Sequence, residues 1–233
     1  MAAAFVHTPV RELLWVAAAI IDYGAPAVLG LGGFRVSPSY CVSRHGSIII
    51  IVLGQAVVEL GAAATDLSRL EVIAALVVGV AIIATFWWTY FGLTAGAQQR
   101  LEQATGTERA NLARDAYSYL HMPLVAGVIL FAVGAHATVK HATAPLPLLS
   151  AIALAGGMSL FYLGDVAYRW RDHRQIPVDR TATGVAAAAT LPALLYTPAI
   201  GGLGLLTGIG VCRLVWELWR RPRIGPGVAE QVR

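Results

Sequence analysis

Long apolar runs separated by short charged segments dominate this chain of 233 residues. Seven of the runs have about the 20 residues that a helix needs to cross the hydrocarbon of a bilayer. They cover residues 13–31, 46–64, 70–93, 116–138, 147–167, 182–199 and 201–219. The pattern predicts an all-α fold: a polytopic transmembrane helix bundle of about seven spans, with residues 1–233 forming a single integral membrane domain.

The composition supports the same class of protein. Only 13% of the residues are charged and 57% are hydrophobic, whereas a soluble globular domain has about 25% charged residues. A water-soluble enzyme, a disulfide scaffold and a disordered tail are therefore disfavoured. The net charge of +4 is explained by basic loops at one membrane face, and no binding of nucleic acid is expected.

The basic residues predict how the chain is oriented. Counted on alternate connections, fourteen of the 17 lysines and arginines fall on one side, and three (Arg11, Arg69 and Lys140) fall on the other. Because basic loops stay on the cytoplasmic side, the N-terminus is expected outside and the C-terminus in the cytoplasm of a multi-pass inner (plasma) membrane protein. The segment 169–180 carries four arginines and is expected to be a solvated loop that meets anionic lipid headgroups.

Three connections carry local signals. Thr105 and Glu108 have the spacing of a capping box, which predicts a helix from about residue 106 that runs into the fourth span and bends at Pro123. Residues 98–105 are expected to form a polar turn. Proline and paired glycines at 197–202 predict a tight hairpin between the last two spans, and the GxxxG sequence at 204–208 permits close helix approach.

Polar side chains within the apolar runs are the candidate site. Asp22 and Gln55 lie near the middle of the first and second spans, and Glu59 follows Gln55 by one helical turn on the same face. Since the first two spans are sequential neighbours, these groups are expected at similar depth. They either bind a proton or a small cation, or hold the helices together as neutral polar contacts.

Other candidates lie nearer the cytoplasmic ends of the spans. His121 is interpreted either as a satisfied interfacial histidine or as a pH-sensitive gate. Arg44, His45 and Asp165 are interfacial polar candidates, and Asp165, Arg213 and Glu217 are expected either to pair or to snorkel to the interface. No catalytic, nucleotide or metal motif occurs, and neither cysteine has metal-ligand spacing, so no enzyme activity, metal or cofactor is predicted.

Three segments resemble the bacterial low temperature requirement A family of membrane proteins. The first is Arg44-His45-Gly46 with the apolar run that follows it, and the second is Trp87-Trp88 with Tyr90-Phe91. The third, residues 116–127, is the most specific. The resemblance covers nearly the whole chain but only the C-terminal half of the family pattern. Ser43 and Gln55 stand where the family usually has glutamate.

The resemblance implies no settled biochemical activity. Movement of a proton, an ion or a small solute is the leading hypothesis for function. A structural or stress-adaptive membrane component is the alternative, and a lipid-acting intramembrane enzyme is a third class. A half-length chain is expected to form a homodimer, and the sequence leaves open whether Met1 is the true start.

Overall fold

The computed structural model describes residues 10–29, 37–92 and 94–220, and every regular element within these ranges is helical. In chain order the elements are α1 (Val10–Leu29), α2 (Pro38–Ala63), α3 (Leu70–Phe91), α4 (Thr94–Gln103), α5 (Gly106–Leu112), a π segment (Ala113–Tyr119), α6 (His121–Lys140), α7 (Leu148–His173), α8 (Val178–Ala189), α9 (Leu191–Tyr196) and α10 (Ala199–Arg220).

Five segments of the described ranges are long and apolar enough to cross a membrane. They are Pro38–Ala63, Leu70–Gln103, Gly106–Lys140, Leu148–Asp172 and Ala199–Arg220. They correspond to five of the seven predicted spans, and the helical membrane character of the chain is therefore confirmed.

The first predicted span corresponds to α1, which lies at the edge of the bundle. Nine of its large apolar side chains are exposed. Its contact with the rest of the molecule includes Tyr119, whose hydroxyl donates to the Tyr23 carbonyl at 2.7 Å. The end of this span and all of residues 1–9 lie outside the described residues.

The sixth predicted span is divided in two, and the expectation of one continuous helix over 182–199 was wrong. α8 ends at Ala189 and α9 begins at Leu191. Pro192 has no N–H for the Ala188 carbonyl, so the helical ladder cannot continue through this point. Neither α8, with 12 residues, nor α9, with 6, reaches the length of a span alone.

The hairpin predicted after α9 is confirmed in position. α9 ends at Tyr196 and α10 begins at Ala199, with Thr197 extended before Pro198. Gly201 and Gly202 belong to α10 rather than to the turn. The chain thus reverses over two residues.

The connection before α6 differs from the prediction in two respects. Residues 94–103 form α4 rather than a polar turn. A helix does begin at Gly106, but the Thr105 side chain makes no capping bond. The regular ladder is interrupted by the π segment and a turn at Leu120, one turn ahead of Pro123, where the bend was expected.

The helices define two ends of the bundle. At the basic end, α3, α7 and α10 finish while α6 and α8 begin, and at the opposite end lie residues 64–69, 141–147 and 197–198. Backbone bonds join Leu146 N to Leu194 O at 3.3 Å and Ala199 N to Ala144 O at 2.9 Å. Because α8 begins at the basic end and α9 finishes at the opposite end, the broken pair runs the full height of the bundle.

The core is tightest between α6 and α7. A Cβ atom on Gly127 would lie 2.6 Å from the Phe161 nitrogen, and one on Gly134 would lie 2.6 Å from the Leu154 Cα. Such small residues let two helix backbones touch, which is the main source of packing attraction between helices in lipid. Beside this contact the rings of Phe86 and Phe161 lie 4.4 Å apart.

Candidate functional site

Side chains from three helices form a histidine cluster at the basic end. His45 comes from the first turns of α2, Tyr90 from the last turn of α3 and His121 from the start of α6. The Tyr90 hydroxyl lies 2.8 Å from His121 Nε2, and the two imidazole rings are 4.9 Å apart. His121 is 4% exposed, so its polar atoms depend on protein partners.

The π segment positions His121. Leu120 N donates to the Asp115 carbonyl at 3.0 Å, a bond that spans five residues. The wide turn leaves the Ala116 carbonyl 3.0 Å from His121 Nδ1. Since a carbonyl only accepts, Nδ1 carries the proton, and Nε2 of the neutral ring accepts from Tyr90. Single-turn π segments inside helices are frequent at functional sites.

His45 is held in a related way but keeps one nitrogen available. Its Nδ1 donates to the Cys41 carbonyl at 2.8 Å. Within the described residues, no hydrogen bond engages His45 Nε2, and His45 lines a cavity.

A cavity of about 420 Å³ opens onto the cluster. Both histidines line it, together with Asp22 and Arg114. Asp22 itself is exposed. The cavity therefore joins the buried imidazole of His121 and the partly buried imidazole of His45 to charged groups that water can reach.

The structure separates the predicted trio of Asp22, Gln55 and Glu59. Gln55 Nε2 donates to Glu59 Oε1 at 3.0 Å, so these two do share a helix face. The further partner of Glu59 is His136 on α6, with Nδ1 3.3 Å from Oε2. Within the described residues no hydrogen bond or ion pair joins Asp22 to either group, because α2 packs against α3 and α6 rather than along α1.

A second polar group, here called the ionic cluster, lies beside the histidine cluster. Arg180 Nη1 donates to Asp165 Oδ2 at 2.7 Å, with both side chains less than 5% exposed. Arg213 Nη1 donates to Glu217 at 2.8 Å, and its Nη2 donates to Thr89 Oγ1 at 2.6 Å. The cluster ties together α3, α7, α8 and α10.

The ionic cluster changes the interpretation of two predictions. The segment 169–180 is not a solvated loop, because it comprises the end of α7 and the start of α8, and Arg180 is buried. Asp165 is likewise committed to arginines, since Arg169 Nε also donates to it at 3.1 Å. Asp165 does not line the histidine cavity. It lines a separate space of about 10 Å³ with Tyr90 and Tyr168.

The remaining candidate, Arg44, faces away from both clusters. It is exposed, and its guanidinium lies 4.9 Å from the centre of the Tyr40 ring. Sequence reasoning missed Tyr90 and His136 as partners. His136 could have been noticed as a polar residue inside the fourth apolar run, but its pairing with Glu59 depends on which helices are neighbours.

No group of three or more histidine, cysteine, aspartate or glutamate side chains in the described ranges is arranged to hold a metal ion. The histidine cluster contains two imidazoles with tyrosines around them, a composition suited to proton transfer and hydrogen bonding. Tyr117 stacks on His121, with 5.3 Å between the ring centres, and restricts the orientation of the imidazole.

The fold and these clusters define a helical membrane protein with protonatable groups inside its bundle. The model of the bacterial low temperature requirement A protein family (LtrA) matches residues 1–215, and the chain belongs to this family. An uncharacterised protein of Rhizobium meliloti (strain 1021) is 25% identical over 224 residues, which cover 90% of this chain and 53% of that protein. The chain thus spans about half the length of this curated relative. No solved structure matches the chain.

Proposed function

We propose that this protein moves protons, or a small cation or solute coupled to protons, across the inner membrane. The observation that carries the proposal is the contact of buried His121 with Tyr90 and with the partly buried His45, beside a cavity that both histidines line together with Asp22 and Arg114. Ionisable groups inside a membrane segment are costly and usually mark a pathway for ions or protons.

The histidine cluster is the first proton site in this proposal. A proton from the cavity binds Nε2 of His45, and His121 receives charge only when Tyr90 turns its hydroxyl from donating to accepting. Both steps change hydrogen bonds without moving the backbone. The Ala116 carbonyl in the π segment keeps its contact with His121 Nδ1 during the exchange.

The Glu59–His136 pair is proposed as the second site, at the opposite end of the same two helices. On α2, fourteen residues separate His45 from Glu59, which corresponds to about 21 Å of helix. Ile49 and Leu53 between them are buried and apolar. Transfer between the two sites therefore needs water to enter or helices to shift, as in alternating access.

Reconstituted proteoliposomes with an internal pH-sensitive dye test the proposal. We expect His121→Gln to reduce proton flux to the level of protein-free liposomes, and Glu59→Gln and Asp22→Asn to reduce it in part. His141→Gln is the matched control, because His141 is exposed between α6 and α7. Equal flux in all variants, or no flux with the parent protein over a range of pH gradients and cations, would contradict transport.

A structural or stress-adaptive membrane component is the second candidate function, favoured by the backbone contact between α6 and α7. In that case the polar clusters only hold helices together, and Asp22→Asn changes thermal stability in detergent while cellular function persists.

A lipid-acting enzyme receives some support from the approach of His45 to His121, but Asp165, the acid it would need, is bound to arginines. We therefore propose a non-enzymatic role.

The proposed topology has seven crossings with the N-terminus outside. α1 would be the first, and α8 with α9 would be the sixth, as a discontinuous helix of the kind found in transporters. Its support is that α8–α9 connects the basic end to the opposite end. Reporter fusions that place the two chain ends in the same compartment would contradict it.

The proposed quaternary state is a homodimer. The exposed apolar side chains of α1, among them Trp15 and Ile20, are its support. Crosslinking in mild detergent that yields only monomer would contradict it.

A further inference from the structure

An outward-facing groove of about 920 Å³ runs between α8 and α10. Along most of its length the lining is small and apolar, with Ala182 and Ala186 on one wall and Gly204 and Gly208 on the other. A Cβ atom on either glycine would meet nothing within 4 Å. The two glycines of the GxxxG sequence therefore create an open channel on the surface rather than a contact within the bundle.

The basic end of the groove is charged. Arg213, Trp216 and Arg220 line it, and Asp179 is the acidic residue among its lining side chains. The Arg220 guanidinium lies 4.1 Å from the centre of the Trp216 ring, and within the described residues no carboxylate pairs with it. Among the described residues, Arg220 is therefore a cation without an acidic partner at the mouth of the groove.

The length of the groove fits one leaflet of a bilayer. From Leu205 to Trp216, α10 advances eleven residues, or about 16 Å, which is close to half of the roughly 30 Å hydrocarbon thickness. An acyl chain anchored at Arg220 would therefore lie along the small residues with its end near the membrane centre.

A second copy of the chain fits this groove poorly. Two copies inserted in the same orientation are related by an axis along the membrane normal, so equal depths face each other. Two facing grooves would bring Arg220 of each copy near Arg220 of the other, and Asp179, the acidic residue of that lining, is already 3.6 Å from Arg213 Nη1. The charge at the end of the groove favours an anion.

We propose that the groove binds an anionic glycerophospholipid. One acyl chain lies between α8 and α10, and the phosphate lies at Arg220 and Trp216. The bound lipid would thereby join the discontinuous crossing α8–α9 to α10 and cover the surface that the glycines leave open.

The test uses the purified full chain in a non-ionic detergent, titrated with phosphatidylglycerol or phosphatidylcholine of identical acyl chains. Bound lipid is counted by native mass spectrometry. We expect phosphatidylglycerol to bind in preference. Gly208→Leu fills the groove and should weaken its binding by about tenfold, since displacing two methylene groups already removes that much affinity.

Gly201→Leu is the matched control for volume. It lies on the same helix, has no neighbour within 4 Å of a built Cβ, and does not line the groove. We expect both leucine variants to keep similar thermal stabilities, while only Gly208→Leu loses lipid. If Gly208→Leu unfolds instead, Gly204→Leu provides the same test at another open position.

Arg220→Gln tests the headgroup. It should lower the preference for phosphatidylglycerol by about fivefold. Arg44→Gln, another exposed arginine over an aromatic ring, should leave that preference unchanged. Equal binding of the two lipids by the parent protein, or unchanged lipid binding by Gly208→Leu, would overturn the proposal. Conversion of a dimer to a monomer by Gly208→Leu, with lipid retained, would identify a second copy as the occupant.

Discussion

The histidine cluster and the ionic cluster lie side by side at the basic end, yet they differ in how their polar groups are satisfied. Successive residues of α3 serve them: Thr89 accepts from Arg213, and Tyr90 contacts His121. In the ionic cluster Asp165 is held by two arginines. In the histidine cluster a ring nitrogen of His45 faces a cavity with no described partner.

The two clusters illustrate two different roles of polar side chains inside a membrane protein. A closed set of paired charges fixes helices relative to one another, because any movement would strand a charge in a medium of low dielectric constant. Groups that adjoin a cavity and retain bonding capacity can exchange protons with it. Equal depth in the bundle therefore does not imply equal function.

The largest expected effect comes from breaking the ionic cluster. Asp165→Asn should destabilise the protein by about 3–5 kcal/mol, because Arg180 would keep its charge in a buried site without its main partner. Unfolding in detergent, followed by circular dichroism during an SDS titration, measures the loss. Asp66→Asn, in the exposed connection between α2 and α3, is the control and should unfold with the parent. Matching stabilities for both variants would show that Asp165 is not a structural anchor.

A smaller loss is expected in the histidine cluster. Tyr90→Phe removes the hydroxyl from buried His121 and should cost about 1–3 kcal/mol in the same assay. Tyr196→Phe, at a side chain that is 83% exposed, should change nothing. If Tyr90→Phe costs as much as Asp165→Asn, the two clusters share one structural role and the contrast between them fails.

The smallest net effect is expected when both partners of the buried pair are replaced. Asp165→Leu combined with Arg180→Met should recover more than about half of the stability lost in Asp165→Asn, because the buried Arg180 is removed with its partner and the arginine that loses Asp165, Arg169, is partly exposed. We expect proton flux in proteoliposomes to persist in this double variant. Loss of flux together with full stability would assign the ionic cluster to the transport pathway.

Most of the helices could be predicted, because the hydropathy and the length of each apolar run can be read directly from the sequence. The apolar runs of α2, α3, α6, α7 and α10 each coincide with a helix long enough to span a bilayer. The start at Gly106 and the reversal at Pro198 also followed from local signals. The break at Thr190 did not, although Pro192 was the available signal.

The candidate site was less predictable, because it depends on which helices become neighbours. Gln55 and Glu59 were placed together correctly, since four residues make one turn of a single helix. Asp22 was assigned to them on the assumption that sequential spans pack closely, and that assumption failed. The pairing of His45 with His121 joins residues 76 positions apart, and the burial of Arg180 depends on Asp165 of another helix.

The break at Thr190 divides the sixth segment into two short helices instead of one continuous helix. The ion pair between Arg180 and Asp165 holds α8 at the basic end. At the opposite end, the Leu194 carbonyl of α9 accepts a hydrogen bond from the backbone N–H of Leu146. Since the regular helical ladder stops at Thr190, the two halves of the segment are held separately, one by an ion pair and the other by a backbone hydrogen bond. Loss of one of these contacts therefore leaves the other in place.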